Sequence, residues 1–128
     1  MKIAVLVTRL LLGLVFFVFG LNGFLNFIPV KELPTGLALQ FVMALLQSKY
    51  VLVVSGTQLL AGILLLANRY VPFALAILGP VIVNILCYHI FLWHPGFSIA
   101  LVVAVLWFVL FFYYRQYFSG LFVQKTSN

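Results

Sequence analysis

Val71 to Phe91, VPFALAILGPVIVNILCYHIF, runs the thickness of a membrane without a lysine, an arginine or a carboxylate. A spanning helix needs about 20 mostly apolar residues, and only a helix or a closed barrel satisfies its own backbone polar groups inside hydrocarbon. The stretch therefore reads as a membrane span. Val5 to Phe27, Tyr50 to Ala67 and Phe97 to Tyr114 have similar length and character on either side of it. The composition agrees: 66% of the 128 residues are hydrophobic and 6% charged, with a mean hydropathy of +1.30, whereas soluble domains carry about a quarter charged residues.

The expected fold is an all-α membrane protein: an antiparallel four-transmembrane-helix bundle, one transmembrane domain over residues 1–128, with a short interfacial or re-entrant helix between the first two spans. That short helix is Gly36 to Ser48, too brief to cross. Little chain is left outside these segments, which excludes a separate soluble catalytic domain. Lys2 ahead of an apolar stretch imitates a secretory signal, but no small-x-small cleavage site follows, so the segment reads as a retained helix.

Punctuation supports the division. Pro29 and Pro34 flank Val30-Lys31-Glu32-Leu33 and end the first helix. Asn68-Arg69-Tyr70-Val71-Pro72 is a tight turn with proline near a helix start, where its missing N–H costs little. Trp93-His94-Pro95-Gly96 turns into the last span, and Tyr113, Tyr114, Arg115 and Tyr117 form an aromatic and basic belt. With the N-terminus inside, Lys2, Arg9, Arg69, Arg115 and Lys125 face the cytoplasm against Lys31 and Lys49 outside, which places both termini in the cytoplasm. The net charge of +6 then reflects contact with anionic headgroups. Nothing resembles a nucleic-acid surface.

Function is sought in the polar exceptions Asn22, Gln58, Asn84 and His89, because a polar group in hydrocarbon is costly unless it finds a partner or lines a cavity. Arg9, Gly13, Phe16, Gly20 and Gly23 fall within about 80° of arc on the first helix, a smooth seam for a neighbouring helix. Asn22 and Asn26 lie roughly opposite Gly13 and Gly20, so they meet another neighbour or the outer loop. On the second span Ser55, Gln58 and Gly62 share a face, and on the third Ala76, Pro80, Asn84 and Tyr88 follow at i+4 steps, so these two stripes are expected to meet. Pro80 cannot donate to the Ala76 carbonyl, which leaves an acceptor for a Gln58 amide, a water or a ligand, and a kink is expected there. In the short helix Gly36, Gln40, Ala44 and Gln47 form one stripe, with Gln40 a candidate lid contact. Arg9 is expected to snorkel to headgroups or cap a carbonyl.

Cys87, the only cysteine, excludes an internal disulfide relay and is expected to pack as a small hydrophobe. Two histidines without acidic or thiol companions do not make a zinc site, so no metal and no catalytic residue is expected. The sole acid, Glu32, sits in a loop.

Gly20-Leu21-Asn22-Gly23-Phe24, Gln58-Leu59-Leu60-Ala61-Gly62 leading to Asn68-Arg69-Tyr70-Val71-Pro72, and Pro80-Val81-Ile82-Val83-Asn84-Ile85 with His89 and Phe91-Leu92 resemble, in order and spacing, the DoxX-like membrane proteins. The resemblance implies a four-helix bundle of the bacterial cytoplasmic membrane. It also implies an association with quinone-linked or redox-stress systems, as for some relatives. Many members carry Glu where this chain has Gln58, and often Lys at Gly23.

Three function classes follow. First is a non-catalytic accessory subunit of a membrane redox or respiratory complex, suited by the glycine seam Gly13, Gly20, Gly23 and Gly62. Second is a binding site for a quinone or other lipophilic molecule, framed by Gln58, Asn84, Tyr88 and His89 with Gln40 above. Third is a small transporter, disfavoured because no carboxylate lies in a span. The expected partners are the lipid bilayer and redox-complex subunits, with self-association left open.

Overall fold

The structure, a computed structural model, describes residues 2–28 and 33–126. The Pro29, Lys31 and Glu32 expectations lie outside the described residues. Among those described the chain is helical, without a strand: α1 (Lys2–Leu25), α2 (Gly36–Ser48), α3 (Tyr50–Ala67), α4 (Val71–Cys87) continuing as a π-helical turn (Tyr88–Leu92), α5 (Phe97–Tyr113), and a terminal 3-10 helix (Arg115–Phe122). Three helices are long and apolar enough to cross a membrane: Lys2–Leu25, Tyr50–Ala67 and Val71–Leu92. A fourth qualifies if Phe97–Tyr113 is counted together with Arg115–Leu121, which turns away from it by 83°. That bend does not follow from the sequence pattern, in which Tyr113 to Tyr117 reads only as a belt.

Helices α1 and α3 form the closest pair, and the glycines explain it. A Cβ on Gly20 would stand 2.5 Å from the Leu59 backbone nitrogen, and one on Gly62 would stand 2.5 Å from that of Phe17. The two backbones touch where only hydrogen fits, as between small residues of membrane helices. Gly13 meets Leu65 and Leu66, while Gly23 leaves room for the Ser55 side chain, so the pair runs antiparallel. The seam expected from the sequence is therefore filled by α3, and Ser55 and Gly62 face α1 rather than α4.

Helix α4 packs between α3 and α5 around Leu75, Leu78 and Ile82, with Leu12, Phe16 and Leu65 behind them. Trp107 of α5 donates its indole N–H to the Leu75 carbonyl at 2.9 Å and stacks on Phe111 with ring centroids 5.0 Å apart. The α-helix continues through Pro80, and the change of helix type falls at Tyr88.

The polar outliers settle into local roles. Asn22 accepts the Ile28 N–H at 2.8 Å and so closes the end of α1, the outer-loop alternative of the sequence reading. Arg9 is buried and donates to the carbonyls of Leu65 and Leu66 in the last turn of α3, the capping alternative. Cys87 corrects the expectation of a packed cysteine: it is exposed on α4.

Candidate functional site

A cavity of about 680 Å³ lies between α2, α3, α4 and the π-helical turn. Its size falls in the range of small-molecule sites. Helix α2 supplies Phe41, Val42, Ala44, Leu45 and Ser48; α3 supplies Tyr50, Val54 and Gln58; α4 and the π turn supply Val81, Asn84, Ile85, Tyr88 and His89. Gln58, Asn84, Tyr88 and His89 thus line one space.

Each wall has a local cause. Helices α2 and α3 are separated by Lys49 alone, whose left-handed φ of 65° breaks the helix and folds α2 back over the top of α3. Ala38 of α2 is fully buried, and the Phe41 ring meets the Tyr88 ring at 5.7 Å between centroids. Helix α2 lays its apolar side on the cavity and turns its glutamines outward. Gln40 is therefore exposed and outside the lining, a correction to the expected lid contact, and Phe41 takes its place. An apolar wall sits better against an apolar chamber than an amide that would need a partner.

His89 lies at the start of the π-helical turn, in which the Trp93 N–H donates to the Tyr88 carbonyl at 2.9 Å. The chain from Asn84 to Tyr88 is α-helical, so His89 stands well round the helix axis from Asn84 and lines the cavity beside the Tyr88 ring, 5.1 Å away between centroids. Its Nδ1 lies 3.0 Å from the Trp93 carbonyl. A carbonyl only accepts, so in the neutral ring Nδ1 carries the proton and Nε2 keeps a lone pair. Gly96, at φ 89°, makes this possible: a Cβ there would stand 3.0 Å from His89 Cε1.

Gln58 is half-buried and Asn84 exposed within this partly open space, and among the described residues neither amide side chain has a hydrogen-bond partner. The two do not bond to each other, and Gln58 does not reach for a carbonyl freed by Pro80. The hydrogen bond beside that proline comes from the other side of α4, from Trp107 to Leu75. The cavity accordingly offers two neutral amides, each able to donate and accept, a phenol and an imidazole on an apolar background. Such a set can hold a polar head in place. Among the described residues no group of three or more His, Cys, Asp or Glu stands together.

Sequence reasoning missed Phe41, Leu45, Tyr50 and Val54. Their apolar side chains look like any lipid-facing residue until α2 folds back, and the signal in α2 was its polar stripe, of which Ala44 lines the cavity while Gln40 and Gln47 are exposed. No family model, no curated protein and no solved structure matches this chain.

Proposed function

We propose that this protein is a membrane-embedded binding protein for a lipophilic small molecule with a hydrogen-bonding head, of which a quinone is the class considered. The observation that carries it is the cavity of about 680 Å³ against which Gln58 and Asn84 stand without partners. A polar group in hydrocarbon is retained when it gains something from a partner, and a bound carbonyl or hydroxyl supplies that partner. The head sits between Gln58 on α3 and Asn84 on α4, and the apolar tail runs past Val54, Val81 and Leu45.

The architecture that goes with this reading is an antiparallel bundle of four spans, α2 lying at one interface above the cavity. The distribution of basic residues favours a cytoplasmic N- and C-terminus, and the resemblance to DoxX-like proteins a bacterial cytoplasmic membrane. Membership of a redox complex as an accessory subunit stands second. The glycine seam that would have received a partner helix is occupied by α3.

Mass spectrometry of the protein extracted from its native membranes tests the proposal. A co-purified apolar molecule of stoichiometric amount, lost from Gln58→Leu and Asn84→Leu, supports the site. Equal small-molecule content in wild type and both variants contradicts it.

A further inference from the structure

A second concavity, of about 880 Å³, lies at the other end of the molecule, between the start of α1, the end of α5 and the terminal 3-10 helix. Its long wall is apolar, with Val5 on one side and Val105, Phe108 and Val109 on the other. Its polar groups gather at one end, where Arg115, Gln116 and Ser119 are carried across by the 83° bend after Tyr113. Arg115 is held there: it donates to the Phe112 carbonyl at 2.7 Å, and its guanidinium carbon sits 4.2 Å from the centre of the Phe112 ring. One of five N–H donors is engaged, and the others remain for an anion.

The charge of this end is one-sided. Lys2 opens α1, Arg9 is tied to the last turn of α3, Arg69 lies in the turn that follows, and Arg115 follows α5. The only acid in the sequence, Glu32, follows α1 in the chain.

We propose that this groove binds an anionic phospholipid, its phosphate at Arg115 with the Gln116 amide, and an acyl chain along the wall of Val105, Phe108 and Val109. The bilayer itself supplies that chemistry, and basic pockets beside membrane helices are suited to anionic headgroups. A free phosphate would use the polar end but not the wall.

The test uses the full chain in phosphatidylcholine nanodiscs containing a minor share of phosphatidylglycerol, with the lipids retained on extraction counted by native mass spectrometry. Wild type should favour phosphatidylglycerol about fivefold, and Arg115→Gln should bring the ratio close to parity. Val109→Trp, which fills the wall without changing charge, should also lower retention. Thermal unfolding in pure phosphatidylcholine should be unchanged for both variants. Arg115→Lys keeps the charge on a part of the site outside any core, and should retain most of the preference. No preference in wild type, or a preference that survives both Arg115→Gln and Val109→Trp, overturns the proposal. Displacement of the lipid by inorganic phosphate alone overturns it too, since that would mark a free-anion site.

Discussion

Arg9, buried inside α1, donates to the carbonyl of Leu65 in the last turn of α3. A second, longer bond of 3.5 Å reaches Leu66. The last four carbonyls of a helix lack partners within it and carry the negative end of its dipole, so a cation is well placed there. This explains how a buried arginine persists: among the described residues its compensation is a helix terminus. The same contact ties α1 to α3 at the end where Gly13 meets Leu65 and Leu66.

Arg9→Met keeps much of the shape and removes every donor. It is expected to destabilise the protein by about 1–3 kcal/mol, the worth of the hydrogen bonds from a charged donor that it removes. Arg9→Lys, a point charge without the fork, should recover part of the loss. Reversible unfolding in mixed detergent measures both. Equal stability of wild type and Arg9→Met would show that the contact contributes nothing.

Two glycines in spans should behave in opposite ways. Gly20→Ala forces a methyl to within 2.5 Å of the Leu59 nitrogen; separating the α1 and α3 backbones should cost about 1–3 kcal/mol. On α3, a Cβ at Gly56 meets Phe24 Cζ at 3.8 Å, an ordinary contact. Gly56→Ala should be neutral or stabilise by about 0.5–1 kcal/mol through helix propensity. Thermal unfolding of the two variants side by side gives the comparison.

Trp107→Phe retains a ring against Phe111 and loses the N–H that reaches Leu75. The expected cost is about 1 kcal/mol, near the net worth of one hydrogen bond. Near-ultraviolet circular dichroism should show that the aromatic packing is kept while the unfolding midpoint falls.

Gln58→Leu should leave stability unchanged or raise it by up to about 1 kcal/mol, because the amide has no protein partner to lose and leucine removes a polar group from an apolar wall. A clear drop in unfolding temperature would instead mean that the amide completes a network within the protein.

The spans, the turns at Asn68 to Pro72 and at Trp93 to Gly96, and the glycine seam were legible in the sequence, because each rests on local chemistry: apolar length, proline and glycine positions, and small residues at helical spacing. The expectation that Ser55, Gln58 and Gly62 together face α4 fails at Ser55 and Gly62, which pack on α1, while Gln58 lines the cavity with Asn84 and Tyr88. What was not legible depends on single backbone residues. Lys49 in the left-handed region decides that α2 folds over α3, and so decides that Phe41 rather than Gln40 meets the cavity. The π turn at Tyr88 closes α4 with the Trp93 N–H on the Tyr88 carbonyl, and no residue type announces it. The bend after Tyr113 is equally silent in the pattern, and it builds the groove that holds Arg115. Cys87 misled through its average behaviour: free cysteine is usually buried, but the outward face of a membrane helix meets lipid and accepts it as readily.

The site between α3 and α4 is tested most directly by titrating a decyl-substituted benzoquinone, and a decylbenzene of the same tail, into the full chain in nanodiscs, with binding followed by calorimetry. Saturable one-to-one binding of the quinone, at least about tenfold weaker for the hydrocarbon and for the Gln58→Leu, Asn84→Leu double variant, is the result expected from two amides holding a polar head. Equal binding of both compounds, or a double variant that binds the quinone as wild type does, would contradict it.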